Sequence, residues 1–128
     1  MPEVPAPLSL DAFAELVEAA LTTLPPAIAQ RMENVAVTVA EWPSPAQRQA
    51  MRMRPGEALY GLYEGIPLTG RTQGYNLILP DRITIFMYPM VRYHRTAEAI
   101  QDQVRRTVLH EIGHHFGLDE GQLQRLGY

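Results

Sequence analysis

The stretch from Thr96 to Gly117, TAEAIQDQVRRTVLHEIGHHFG, constrains this 128-residue chain more than any other part of it. Ile100, Val104, Val108 and Ile112 step by four and form one apolar stripe on a helix expected over residues 97–116. Thr96 stands where an N-cap belongs. The stripe is expected to pack on a sheet, with His110 and His114 to one side of it and Glu111 close to its edge.

Those three residues read His-Glu-x-x-His. Histidines four apart share a side of a helix, about one turn and ~6 Å of rise from each other. Two imidazole nitrogens at that spacing reach one metal ion. Zinc takes imidazole nitrogen at ~2.0–2.1 Å, and a catalytic zinc typically has three protein ligands plus water. Glu111 is not needed as a ligand. One step around the helix, it is placed to take a proton as metal-activated water attacks a carbonyl. Three fixed residues recur by chance in unrelated helices, so context carries the weight. Here Gly117 follows His114 by three residues. Glycine suits a helix end and a sharp reversal, which would bring a later side chain back toward the metal. His115 falls nearer the apolar stripe and reads as a packing or hydrogen-bonding histidine.

Composition narrows the remaining possibilities. Hydrophobic residues make up 46% and charged residues 20% of the chain, ordinary values for a soluble globular protein. The length fits one domain, residues 1–128, with a modest core. With no cysteine there is no disulfide and no thiolate metal site. No apolar run approaches the ~20 residues of a membrane span. No basic segment precedes an apolar one at the N-terminus, so a cytoplasmic protein is expected. The net charge is −3, which argues against a nucleic-acid partner. The 11 basic residues are all arginine.

Taken in order, residues 1–8 contain Pro2, Pro5 and Pro7 and read as an extended, flexible arm. Ser9 is the expected N-cap of a helix, with Leu8 and Phe13 forming a hydrophobic staple. Phe13, Leu16, Val17, Ala20, Leu21 and Leu24 make its apolar face, and Pro25-Pro26 is the expected stop. A short helical turn is expected over 27–32 and a strand over 35–40. Ser44-Pro45-Ala46-Gln47 reads as a capping box opening a helix to about residue 53, with Arg48, Arg52 and Arg54 on a solvated face. A second strand is expected over 58–63. A long loop punctuated by Gly65, Pro67, Gly70 and Gly74 follows, then a short strand over 77–79. Residues 83–88 read as a strand apolar on both faces, ended by Pro89. The fold class is therefore α+β: a sheet of three to five strands packed with two long helices, the C-terminal one carrying the histidine pair.

HEIGHHFGLDE, His110 to Glu120, resembles the small bacterial "minimal" zincin-like metallopeptidases, whose motif is HExxHxxGxxD/E. GLYEGIPLTGR at 61–71 and LPDRITIF at 79–86 are also similar to that family. The resemblance implies a zinc-dependent metallopeptidase acting on a peptide or protein substrate. It makes His110 and His114 zinc ligands, Glu111 the general base, and an acidic residue the third ligand. Glu120 holds the sixth position after His114, where such zincins place their last ligand. Asp119 competes for the role, or supports the turn or a ligand histidine. Tyr63, Tyr88, Tyr93 and His94 are candidates for stabilising the oxyanion. Larger metzincins have a methionine turn well downstream of the motif and a lower substrate-holding subdomain, neither of which is expected within these 128 residues. Two rival functions remain at this level. One is a metal-dependent endoribonuclease, since a bacterial RNA-maturation family has H-x-x-x-H-x-x-G-x-x-H spacing. The other is a zinc-stabilised binding domain without turnover.

Overall fold

The structure, a computed structural model, describes residues 3–4, 8–51, 59–65, 81–117 and 120–125, without the side chains of Glu120 and Leu123. Its elements in chain order are α1 (Leu10–Leu21), α2 (Pro26–Arg31), β1 (Val35–Ala40), α3 (Pro45–Ala50), β2 (Gly61–Glu64), β3 (Asp81–Phe86), α4 (Met87–Val91), α5 (Ala97–His115) and α6 (Glu120–Arg125). The fold is α+β, built on a mixed sheet in the order β1-β3-β2.

The central strand is β3. It runs parallel to β1, with Val37 opposite Ile83 and Val39 opposite Ile85. It runs antiparallel to β2, with Gly61 opposite Ile85 and Tyr63 opposite Ile83. Ile83, Thr84, Ile85 and Phe86 are all buried, as the two-sided apolar pattern requires of a covered central strand. The odd-numbered residues of all three strands therefore share one face. Against that face lie α1 and α5, whose Phe13, Val17, Ile100, Val104, Val108 and Ile112 join Ile83 and Ile85 in one core cluster. All four residues of the α5 stripe are fully buried. On the opposite face Thr38 and Thr84 are in register, their hydroxyls 3.4 Å apart.

The helix starts follow their local chemistry. The hydroxyls of Ser9 and Thr96 accept from the N–H groups of Ala12 and Ala99, each at 3.1 Å. At α3 the capping box is complete: Gln47 N–H donates to Ser44 Oγ at 3.0 Å, and Ser44 N–H to Gln47 Oε1 at 2.8 Å. Leu8 and Phe13 are both buried in the core, as a staple requires. Within the N-terminal arm, Glu3 bridges Thr96, and Val4 N–H donates to the carbonyl of Arg95 at 2.8 Å.

Several boundaries differ from expectation. Helix α1 ends at Leu21, ahead of the prolines. The hydroxyls of Thr22 and Thr23 donate to the carbonyls of Ala19 and Ala20, each at 2.7 Å, and so close its last turn. Pro26 instead opens α2, where its fixed φ suits the first helical position. Met87 and Tyr88 belong to α4 and not to the strand. Pro89 lies in the first turn of α4, where an N–H would have no helical partner anyway. Helix α3 stops at Ala50. The expected strand at 77–79, the loop glycines Gly70 and Gly74, and Arg52 and Arg54 lie outside the described residues. Among the described residues, no helix is long and apolar enough to cross a membrane.

Candidate active site

The last two turns of α5 carry His110, Glu111 and His114. The rings of His110 and His114 are 6.1 Å apart between centroids and inclined by 29°, side by side along the helix. The Nδ1 of His110 lies 2.9 Å from the carbonyl oxygen of Arg106. A carbonyl can only accept, so Nδ1 is the donor, and in the neutral ring the lone pair is then on Nε2. That bond sets the tautomer a metal requires, as carbonyl partners of ligating histidines commonly do.

His110 and Glu111 line a cleft of about 340 Å³ between α5 and the chain entering β2. Leu59, Tyr60 and Gly61 form one wall; Gln103, Arg106 and Thr107 continue the other. Gly61 is there for a steric reason. A Cβ at this position would lie 2.5 Å from Thr107 Cγ2, so the absence of a side chain lets β2 approach α5.

Glu111 is turned toward β2. Its Oε2 accepts the backbone N–H of Tyr63 at 3.1 Å. Burial raises the Glu111 carboxyl above its ordinary value, while the Tyr63 N–H and the nearby His114 and His110 act in the opposite direction. Tyr63 itself donates its hydroxyl to Asp81 Oδ2 at 2.6 Å. Its partly buried position, first, and the Asp81 carboxylate, as acceptor and as neighbouring charge, push that hydroxyl up to about 12.

Expectation and structure part at several residues. His115 does not face the core stripe. It is exposed, stacks on Tyr63 at 4.0 Å and 20°, and has Nε2 3.9 Å from Asp81 Oδ2. Of the oxyanion candidates, Tyr63 is the one brought to Glu111, through its backbone, with its phenol directed at Asp81. The others are engaged elsewhere. Tyr88 stacks on Trp42 at 5.2 Å, Tyr93 lies under the Arg92 guanidinium at 5.7 Å, and His94 Nδ1 is 2.9 Å from the Met90 carbonyl. Tyr60 and Asp81 escaped the sequence reading. Tyr60 looked like an ordinary strand residue, and Asp81 like half of a Pro-Asp turn; nothing local marks either.

Gly117 has φ +80°, the left-handed conformation that ends α5 and turns the chain. Glu120 follows as the first residue of α6, but its side chain, like Asp119 as a whole, lies outside the described residues. Among the described residues, no three His, Cys, Asp or Glu side chains gather to hold a metal. The two imidazoles, one of them with its tautomer set, suit zinc as neutral nitrogen donors.

A long helix that packs its apolar stripe on a small mixed sheet and carries paired histidines in its last turns has the form of a zincin-like domain. The chain belongs to the zincin-like metallopeptidase family, whose family model matches residues 32–128. A conserved hypothetical protein from Thermus thermophilus has a similar structure, with a TM-score of 0.54 and 24% identity over 91% of this chain and 99% of that one. That likeness concerns the fold. No curated protein matches the sequence.

Proposed function

We propose that the protein is a zinc-dependent metallopeptidase that hydrolyses peptide bonds. The observation that carries this reading is the joint placement of two imidazoles one turn apart and a carboxylate on the same two turns of α5, with His110 and Glu111 lining one cleft. His110 and His114 would hold the metal, with Glu120 as the third ligand. A zinc ion held there would supply Lewis-acid polarisation of the scissile carbonyl and lower the pKa of the attacking water to ~7. Glu111 takes the proton from the attacking water and returns it to the leaving amine. The Arg106 carbonyl keeps His110 in its ligating tautomer throughout. Leu59 and Tyr60 give the cleft an apolar wall against which a substrate side chain can rest.

A peptide-library cleavage screen of the zinc-loaded protein tests this, with Glu111→Gln alongside. The wild type is expected to cleave. The variant should keep its zinc and its fold and lose about 10²–10⁴-fold in rate. Equal turnover by the two removes Glu111 from the mechanism. A protein that binds one zinc per chain but cleaves nothing would be a zinc-stabilised binding domain. Cleavage of structured RNA in place of peptides would establish the endoribonuclease instead.

A further inference from the structure

We propose that Tyr63 is a positioning residue for the Glu111 carboxylate, locked in place by Asp81. The proposal deepens the peptidase reading and rests on it for its catalytic consequence.

The argument starts from a second stripe on α5. Thr107, Glu111 and His115 are four residues apart and share one side of the helix. Strand β2 lies along that stripe and meets each member in turn. At one end Gly61 abuts Thr107, too close for any Cβ. At the other the Tyr63 ring stacks on His115 at 4.0 Å. Between them the Tyr63 N–H donates to Glu111 Oε2 at 3.1 Å.

The sheet makes that N–H available. Phe86 N–H donates to the Tyr60 carbonyl at 2.9 Å, which makes Tyr60 and Phe86 a hydrogen-bonded pair. In an antiparallel ladder such pairs alternate. Leu62 and Glu64 therefore face β3 with their main-chain groups, and those of Gly61 and Tyr63 face away from it. The outward N–H of Tyr63 goes to Glu111 and not to another strand.

Asp81 holds the register. It opens β3, lies diagonally across from Tyr63 on the same face, and accepts the phenol hydroxyl at 2.6 Å. A short bond to a carboxylate is among the stronger hydrogen bonds. It fixes Tyr63 against sliding along α5. A backbone donor cannot change rotamer, so the carboxylate that it anchors is held in one orientation. Tyr63 thus acts through Glu111 and does not itself touch substrate.

Amide hydrogen exchange and steady-state kinetics on the zinc-loaded full chain decide the matter. In Tyr63→Phe the ring and its stack on His115 remain and only the hydroxyl is lost. The amide at position 63 should exchange up to about tenfold faster, the worth of one hydrogen bond, while the amides of Val104 and Ile85 keep their protection. Glu111→Ala should expose the same amide by removing its acceptor. In peptide cleavage kcat should fall several-fold with KM and zinc affinity unchanged. Asp81→Ala should reproduce these effects and serves in place of Tyr63→Phe should that variant not fold. An amide at 63 that is indifferent to Tyr63→Phe, Asp81→Ala or Glu111→Ala overturns the proposal, as does unchanged kcat in an active enzyme. Absence of peptide turnover in the wild type counts against the peptidase reading alone, and the exchange measurements then decide the positioning role.

Discussion

Gly61 is where one hydrogen atom in place of a methyl decides the geometry of the site. In Gly61→Ala the new Cβ would stand 2.5 Å from Thr107 Cγ2. Turning Thr107 about χ1 to move its methyl away would displace the hydroxyl that accepts from Gln103. The expected cost is ~1–3 kcal/mol, typical of an overpacked interior, read from urea unfolding. Adding Thr107→Ser removes the offending methyl while keeping the hydroxyl that accepts from Gln103 at 3.1 Å. The double variant should recover most of the loss; additivity of the two changes would disprove the contact. Tyr63 yields a pH prediction. Its hydroxyl rises from 10.0 to about 12 in the folded protein. A proton held more tightly by the folded chain stabilises it fully below the unfolded value, and that contribution disappears as pH climbs through the folded one. Phenolate absorbance should therefore show one tyrosine ionising near the top of the titration, at about 12. In Tyr63→Phe the component at about 12 should be lost.

At the scale of elements, the end of α5 matters most. Phe116 N–H donates to the Ile112 carbonyl at 3.0 Å and Gly117 N–H to the His114 carbonyl at 3.1 Å, so the helix closes directly below the second histidine. The Arg31 guanidinium lies 5.3 Å from the centre of the Phe116 ring and ties α2 to this closure. Gly117 then turns the chain with φ +80°, and among the described residues nothing lies within 4 Å of the place a Cβ would occupy. Gly117→Ala therefore tests backbone conformation without a packing term. It should cost ~1–2 kcal/mol, and Gly117→Asn less, because asparagine tolerates the left-handed region better. Thermal unfolding of the apo protein measures this. Should Glu120 be the third ligand, zinc affinity in a competition titration should fall in the same order. At the other end of the helix, Thr96→Ala removes the acceptor of the Ala99 N–H. It should cost ~0.5–2 kcal/mol, as N-caps do, and leave the zinc affinity of the folded protein unchanged.

For the whole molecule, the core and the metal are separate contributors to stability. The contact of α1, α5 and the sheet around Phe13, Ile83 and Val108 does not involve the histidines; His110 is half-buried in the cleft and His114 is exposed. Phe13→Ala should lower stability by ~3–5 kcal/mol through the cavity it leaves, with zinc binding by the folded fraction retained. Metal binding is linked to folding in the other direction. A ligand that binds only the folded chain at 100 times its Kd adds ~2.7 kcal/mol. Zinc should raise the unfolding midpoint, a chelator should reverse the rise, and His110→Ala with His114→Ala together should abolish it. An unchanged midpoint in the wild type at saturating zinc would refute the histidine pair as a metal site.

What could be read in the sequence was local or periodic. Ser9, Ser44-Gln47 and Thr96 announce helix starts because each cap is made within three residues of itself. The α5 stripe and the histidine pair are legible because the helix repeats every 3.6 residues whatever it packs on. Gly117 is legible because few other residues accept a left-handed helix end. Where Pro25 and Pro89 misled, a nearby alternative intervened: threonine hydroxyls closed α1 first, and a first helical turn accepted Pro89. The tertiary structure alone decided that β3 stands between β1 and β2, and so which strand meets α5. It joined Tyr63 to Glu111 across 48 residues and Tyr63 to Asp81 across 18, and gave the packing histidine His115 the Tyr63 ring as its partner at the surface. Such contacts depend on strand order and register, which are set by the packing of whole faces. No residue near Glu111 in sequence carries the information that a backbone amide from another strand would hold it.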